Sequence, residues 1–187
     1  RVTADVLTRR QLNRATLERQ FLLERVDLGV PEVVSRLAGL QAQEPPDPTL
    51  GLWSRIAGYR TDALGEALEA RQVARIVAMR GTVHLLEADD VLPFRAMAQD
   101  VLEREMANHQ DHKAVIAGID DLEPIVEFGR ELLDAGPVPV RAMRAALAER
   151  FPDLSPGALA LVLRNRLPLV QAPPRGTWGR SAQVAYV

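Results

Sequence analysis

Two glutamines, Gln41 and Gln43, flank the small apolar residue Ala42, and two prolines follow shortly after them. In a helix, residues two apart point to nearly opposite sides, whereas in extended backbone they share a face. The residue before a proline is pushed out of helical geometry. Pro45 and Pro46 therefore predict that both amides lie where a helix unwinds and point into one cleft. Alternatively, both glutamines cap the helix end and hold a turn.

A pair of amides favours only certain reactions, because a glutamine has no proton to lend at neutral pH. Two such groups suffice where the leaving group already carries positive charge, since the remaining task is to orient a water and stabilise developing charge with dipoles. Glu44 and Asp47 follow the glutamines and offer a candidate general base. The prolines around these two acids favour a solvated turn instead.

The pattern of helices and strands in the sequence is repeated. Apolar spacing predicts helices over residues 7–23, with Thr8 and Thr16 as N-caps of two short helices, and over 31–41, 48–57, 62–70, 87–110, 120–135, 139–151 and 156–167. Residues 73–79 and 82–86 are predicted to form a hairpin about Arg80-Gly81, and residues 169–172 and 183–187 are predicted to be strands.

Three helices followed by a hairpin is the order of a winged helix, in which the third helix enters a DNA groove and the hairpin "wing" lies beside it. The predicted fold is mainly α with small β-hairpins, built from tandem winged-helix units. The first unit, residues 1–112, carries the Gln-Ala-Gln motif, and the second, residues 113–187, carries a basic wing. Such units also occur as scaffolds for contacts between proteins.

Charge is distributed unevenly along the chain, whose formal net charge is −2. Residues 136–187 contain seven arginines and two acids, a balance of +5, so the rest of the chain carries −7. This basic half is expected to meet a polyanion, and arginine matches phosphate in a bidentate fork. A codon bias explains the abundance of arginine equally well.

The candidate DNA-binding residues are Arg80 and His84 in the first hairpin, Arg164 and Arg166 near the end of the third helix of unit two, and Arg175, Trp178 and Arg180 in the second wing.

Composition excludes several other classes. The absence of cysteine excludes disulfides and thiolate chemistry, and no apolar run reaches the roughly 20 residues that span a bilayer. His109 and His112 have a ligand-like spacing but no evident third ligand, so we expect neither a metal nor a cofactor.

The chain starts with Arg1, and its last strand has no following element, so we expect a fragment of a longer protein. The expected location is cytoplasmic, at the nucleoid, and the sequence leaves the oligomeric state open.

Five stretches together resemble the AlkZ/YcaQ-like winged-helix DNA glycosylases. They are Leu12-Asn13-Arg14-Ala15-Thr16-Leu17, Gly39-Leu40-Gln41-Ala42-Gln43, Gly51-Leu52-Trp53-Ser54-Arg55, Met79-Arg80-Gly81-Thr82-Val83-His84-Leu85 and Gly176-Thr177-Trp178-Gly179-Arg180-Ser181. The resemblance implies tandem winged helices, and it implies that Gln41 and Gln43 are the catalytic residues of a monofunctional glycosylase without a cofactor.

The substrate implied by this resemblance is double-stranded DNA carrying alkylated purines, notably N7-alkyl adducts, and some members of the family unhook interstrand crosslinks. An N7-alkylated purine is a cation, so breaking its glycosidic bond releases a neutral base without a general acid. The reaction therefore fits a pair of amides. The alternatives are a non-catalytic winged-helix DNA-binding protein, such as a regulator, and a scaffold for protein contacts.

Overall fold

The computed structural model describes residues 6–180 and 183–187. The helices are α1 (Arg9–Arg19), α2 (Val30–Arg36), α3 (Asp47–Trp53), α4 (Ala63–Glu69), α5 (Val91–Met97), α6 (Gln99–Asn108), α7 (Lys113–Ala117), α8 (Glu123–Asp134), α9 (Val140–Arg150) and α10 (Pro156–Arg166). The strands are β1 (Leu40–Gln41), β2 (Val73–Val77), β3 (Val83–Glu87), β4 (Val138–Pro139), β5 (Val170–Gln171) and β6 (Ala185–Tyr186).

Helix α1 begins as predicted and then continues through the second predicted cap. The Thr8 hydroxyl accepts a hydrogen bond from the Gln11 N–H at 3.3 Å, and the Gln11 side chain accepts one from the Thr8 N–H at 2.8 Å. This reciprocal pair is a capping box. Thr16 lies inside the same helix and donates its hydroxyl proton to the Leu12 carbonyl. The prediction of two short helices was therefore wrong.

The chain before the two glutamines leaves the helix earlier than predicted. Helix α2 ends at Arg36 because Ala38 and Gly39 adopt left-handed backbone, with φ of 54° and 98°. A side chain at Gly39 would also collide with Leu86, since its Cβ would lie 2.5 Å from Leu86 Cδ2. Gln41 thus ends a strand, β1, and Gln43 follows that strand and not the end of a helix, which corrects that part of the prediction.

One antiparallel sheet runs through both halves of the described chain. The strands lie in the order β1-β3-β2-β5-β6-β4. Both predicted hairpin pairs are present, as β2 with β3 and β5 with β6. Strands β2 and β5 join the two halves, with Arg75 opposite Gln171 and Ile76 opposite Val170. The fold is therefore mixed α and β with a six-stranded sheet, where the sequence predicted a mainly α fold with separate small hairpins.

The order helix, strand, helix, helix, strand, strand occurs twice. It is formed first by α2-β1-α3-α4-β2-β3 and again by α8-β4-α9-α10-β5-β6. In each copy the last strand lies between the other two. The sequence analysis missed β1 and β4, because two-residue strands are too short to show a periodicity.

Two large apolar clusters support this arrangement. The first draws its buried residues from positions between Val30 and Leu102, and the second from positions between Met106 and Tyr186. Helix α10 is central to the second cluster and packs against α6, α8 and α9. In the described part of the chain, no helix is long and apolar enough to cross a membrane.

Because α8 packs closely on α10, we expect that a larger residue in place of Gly129 destabilises the fold. A Cβ at Gly129 would lie 2.9 Å from Cδ1 and 3.2 Å from Cγ of the fully buried Leu163. Overpacking should outweigh the gain in helix propensity, so we expect Gly129→Ala to lower the free energy of unfolding by about 1–2 kcal/mol. In α3, the nearest atom to a Cβ at Gly51 is 3.7 Å away. We expect Gly51→Ala to be neutral or stabilising, and equal effects in urea unfolding would contradict this packing argument.

Candidate active site

Exposure alternates along the motif of Gln41, Ala42 and Gln43. Gln41 pairs in register with His84 of β3. Ala42 is fully buried and belongs to the first apolar cluster, whereas both glutamines are exposed. The alternation expected of extended backbone is therefore observed, and the burial of Ala42 explains why a small apolar residue separates the two amides.

The backbone pairing changes immediately after Gln41. The Ala42 N–H donates to the Val83 carbonyl at 2.8 Å. In a regular antiparallel pair, the Val83 N–H would return a bond to the Ala42 carbonyl. Instead, the Val83 N–H donates to Gln43 Oε1 at 3.2 Å, and the Ala42 carbonyl accepts a bond from Arg75 Nη2 at 2.7 Å. The Gln43 side chain thus takes the position that a backbone carbonyl would normally occupy.

Arg75 is a site residue that the sequence analysis missed. It is only 1% exposed, and its Nε donates to Gln171 Oε1 at 3.2 Å. Burial, and then the positive charge of Arg175, lower the pKa of Arg75 to about 10. The sequence pattern could have revealed Arg75, because strand alternation places it on the same face as the core residues Val73 and Val77. A cation at a core position needs an explanation.

The first hairpin brings His84 next to the glutamines. His84 is 5% exposed, and its Nδ1 lies 2.9 Å from the Thr82 carbonyl oxygen. Residues opposite each other in a sheet share a face, so the His84 side chain lies on the Gln41 face. Arg80 is exposed at the hairpin turn, where its φ is 57°. Contacts of His84 and Arg80 with DNA stay predictions.

The loop of residues 173–180 closes toward the glutamine motif and forms a cleft of about 530 Å³. Pro45 and Pro46 line one side of this cleft, and residues 175–180 line the other. Three predicted DNA-binding residues, Arg175, Trp178 and Arg180, are therefore brought to the turn that follows Gln43. Trp178 keeps 45% of its surface exposed, which leaves its ring accessible to a stacking partner.

Arg164 and Arg166 lie elsewhere, on α10. Arg164 forms an ion pair with Glu105 and also donates its Nε–H to Asn165 Oδ1 at 3.1 Å. Arg166 forms an ion pair with Glu103 at 3.2 Å. Both guanidinium groups hold α10 against α6, and neither lines the cleft. A role for them in contacting DNA stays a prediction.

The two spaced histidines stack on each other. The ring centroids of His109 and His112 are 4.6 Å apart, and the ring planes differ by 13°. Within residues 6–180 and 183–187, no group of three His, Cys, Asp or Glu side chains is placed to hold a metal ion.

Comparison with known proteins identifies the chain. The family model described as DNA glycosylase AlkZ-like matches residues 34–187, a stretch that contains every candidate site residue from Gln41 to Arg180. The chain belongs to the AlkZ-like DNA glycosylase family. This confirms the resemblance inferred from the sequence motifs.

Two matches to this AlkZ-like chain come from Streptomyces sahachiroi. The interstrand DNA cross-link repair glycosylase of that organism is 31% identical over 88 residues, which are 47% of this chain and 24% of the relative. The solved structure of the S. sahachiroi DNA glycosylase AlkZ has the same fold, with a TM-score of 0.74 and 22% identity. That match covers 91% of this chain and 46% of the solved one.

Proposed function

We propose that this AlkZ-like protein is a DNA glycosylase that hydrolyses the N-glycosidic bond of cationic N-alkylated purines in double-stranded DNA. The observation that carries the proposal is the pair of exposed amides, Gln41 and Gln43, on either side of the buried Ala42. Beside them lies a cleft lined by Arg175, Trp178 and Arg180. Family membership supports the reaction class, and the amides support the restriction to cationic bases.

The two amides have different tasks in this mechanism. Gln43 Oε1 is held by the Val83 N–H, so its amide is fixed in orientation. Among the described residues, no protein group forms a hydrogen bond with the Gln41 amide, so its carbonyl is free to accept a hydrogen bond from the attacking water. Water bonds to C1′ as the C1′–N9 electron pair returns to the base. The base leaves neutral, and the water proton passes to solvent.

The proposed DNA path follows from the repeated topology. The order helix, strand, helix, helix, strand, strand is compatible with a winged helix, so we assign residues 1–112 and 113–187 to two such units. The turn at Arg80 is then the first wing, and the loop of residues 173–180 is the second. Both wings contribute basic residues for phosphate contacts. A protein that binds DNA in this way would act at the nucleoid, in the cytoplasm.

Bulky adducts are compatible with this site. The glutamines are exposed at the end of β1 and are not enclosed in a deep pocket. A lesion could therefore reach them without full extrusion of the base, which a snug pocket would require. One relative is named an interstrand cross-link repair glycosylase. We extend the proposed substrates to include such crosslinks.

Release of N7-methylguanine from duplex DNA by the full-length protein tests the proposal, and binding without release would indicate a non-catalytic DNA-binding protein.

Charge removal in the second wing should weaken DNA binding without regard to sequence. If Arg175 and Arg180 contact phosphates, the double alanine variant should flatten the slope of log K against log salt by about one unit for each lost contact. The matched control is Arg60→Ala, which removes an exposed arginine that is paired with Asp62 and Glu66. Titrations of an undamaged duplex at several salt concentrations measure the slopes, and an unchanged slope in the wing variant would favour protein contacts at this loop.

A further inference from the structure

Arg75 has an unusual environment for a buried cation. Within residues 6–180 and 183–187, no carboxylate pairs with it, and its Nη1 is buried without a hydrogen-bond partner. Its Nη2 and Nε donate hydrogen bonds to two neutral acceptors, the Ala42 carbonyl and the Gln171 side chain. Burying a charge without a counter-ion is costly. The fold retains this arrangement at the position directly behind the Gln-Ala-Gln motif.

The bond to Ala42 determines what Gln43 can do. The Val83 N–H has two possible acceptors, the Ala42 carbonyl of a regular ladder and the Gln43 side chain. Arg75 Nη2 holds the Ala42 carbonyl at 2.7 Å, and Val83 bonds to Gln43 Oε1 instead. Without Arg75, the Ala42 carbonyl would be free to bond to Val83 and release the Gln43 amide.

Arg75 is itself held by the second half of the chain. Gln171 of β5 lies opposite Arg75 in the sheet and accepts from its Nε. Gly176, which lines the cleft, packs against the guanidinium stem, and a Cβ there would lie 2.8 Å from Arg75 Cδ. The loop that carries Trp178 and the Gln-Ala-Gln motif therefore meet at one side chain.

We propose that Arg75 is a positioning residue that holds the Ala42 carbonyl away from Val83 and thereby fixes the Gln43 amide for catalysis. This inference rests on the proposed glycosylase function. Because Arg75 is 1% exposed, it acts through the glutamine and not through contact with DNA. Its support by Gln171 and Gly176 makes the geometry of the glutamine pair depend on the second half of the chain.

Arg75→Met in the full-length protein tests this inference. We expect the single-turnover rate of N7-methylguanine excision to fall about 10- to 100-fold, as displacement of a reacting group by about 1 Å would cause. The dissociation constant for the same duplex should stay within about two-fold, because no DNA contact is lost. Arg75→Lys should retain part of the rate, since an ammonium group can donate to Ala42 but lacks the rigid guanidinium fork that reaches Ala42 and Gln171 together.

Arg95→Met is the matched control. Arg95 is also buried, at 5% exposure, and donates from Nη2 to the Asn165 carbonyl in the second half of the chain. Its loss should affect stability but leave the excision rate of the folded protein unchanged. Should Arg75→Met fail to fold, Gln171→Leu serves in its place, because it removes one support of Arg75 and should lower the rate about three-fold with unchanged DNA affinity.

A double-mutant cycle with Gln43→Ala separates positioning from general support of the fold. If Arg75 acts through Gln43, adding Arg75→Met to Gln43→Ala should cause no further loss of rate. A full additional loss in that background, or wild-type rates in Arg75→Met, Arg75→Lys and Gln171→Leu, would overturn the inference. The proposed function fails separately, if the wild-type protein releases no base or Gln43→Ala has no effect.

Discussion

Replacement of both Gln41 and Gln43 by alanine is expected to abolish base excision and leave DNA affinity nearly intact. Removing one preorganised polar group from an active site costs about 10²- to 10³-fold in rate, so the loss of both should exceed 10²-fold. The fold should survive, because both side chains are exposed and the buried residue of the motif, Ala42, is unchanged. Affinity should stay within about two-fold, since the proposed phosphate contacts come from the two wings and not from the amides.

Single-turnover excision and duplex binding, measured on the same protein, test this expectation. The control variant replaces two exposed glutamines outside the motif, Gln72 and Gln110, by alanine and should match the wild type. Undiminished excision by the Gln41/Gln43 double variant would refute the catalytic assignment. A parallel loss of binding and excision would instead indicate that the glutamines serve the DNA interface.

The second large effect concerns the charge of the damaged base. We expect release of N7- and N3-alkylpurines and no release of uracil or 8-oxoguanine from otherwise matched duplexes. The alkylated purines carry a positive charge that already weakens the glycosidic bond, whereas the other two bases are neutral and would leave as anions unless a general acid protonates them. Base release measured by chromatography should therefore differ by several orders of magnitude between the two groups of lesions.

The pH dependence of the rate provides a second reading of the same mechanism. Because a glutamine does not titrate, the rate on a cationic purine should not fall with rising pH, as it would if a catalytic acid lost its proton. Efficient removal of a neutral base, together with such a fall, would show that a carboxylic acid takes part. Glu44 and Asp47, which follow the motif, would then be the first candidates, and the amide-only mechanism would be wrong.

Extended backbone at the Gln-Ala-Gln motif could be predicted from sequence, whereas the strand that ends at Gln41 could not. The spacing of Gln41 and Gln43 and the prolines after them were sufficient for the first conclusion. The early end of α2 was not predictable, because Ala38, a good helix former, adopts φ of 54° there. The hairpin strands β2 and β3 were predicted from their β-branched residues and the glycine between them.

Long-range contacts account for what the sequence did not reveal at the site. The pairing of β2 with β5 places Gln171 against Arg75, 96 positions apart, and no local pattern encodes that contact. The same applies to Arg164, whose partner Glu105 lies 59 positions away. Arg75 itself was detectable, as a cation on the core face of an apolar strand. Local periodicity locates a strand, but its partner depends on tertiary packing.

The most direct test of the account is the fate of one N7-methylguanine in a defined duplex. The full-length protein is incubated with this DNA at neutral pH, and the free base and the alkali-labile site are measured together. We predict release of intact N7-methylguanine in step with strand cleavage at that position after alkali, and neither product with Gln41→Ala/Gln43→Ala. Tight binding of the duplex with no released base above the spontaneous rate would contradict the glycosylase assignment.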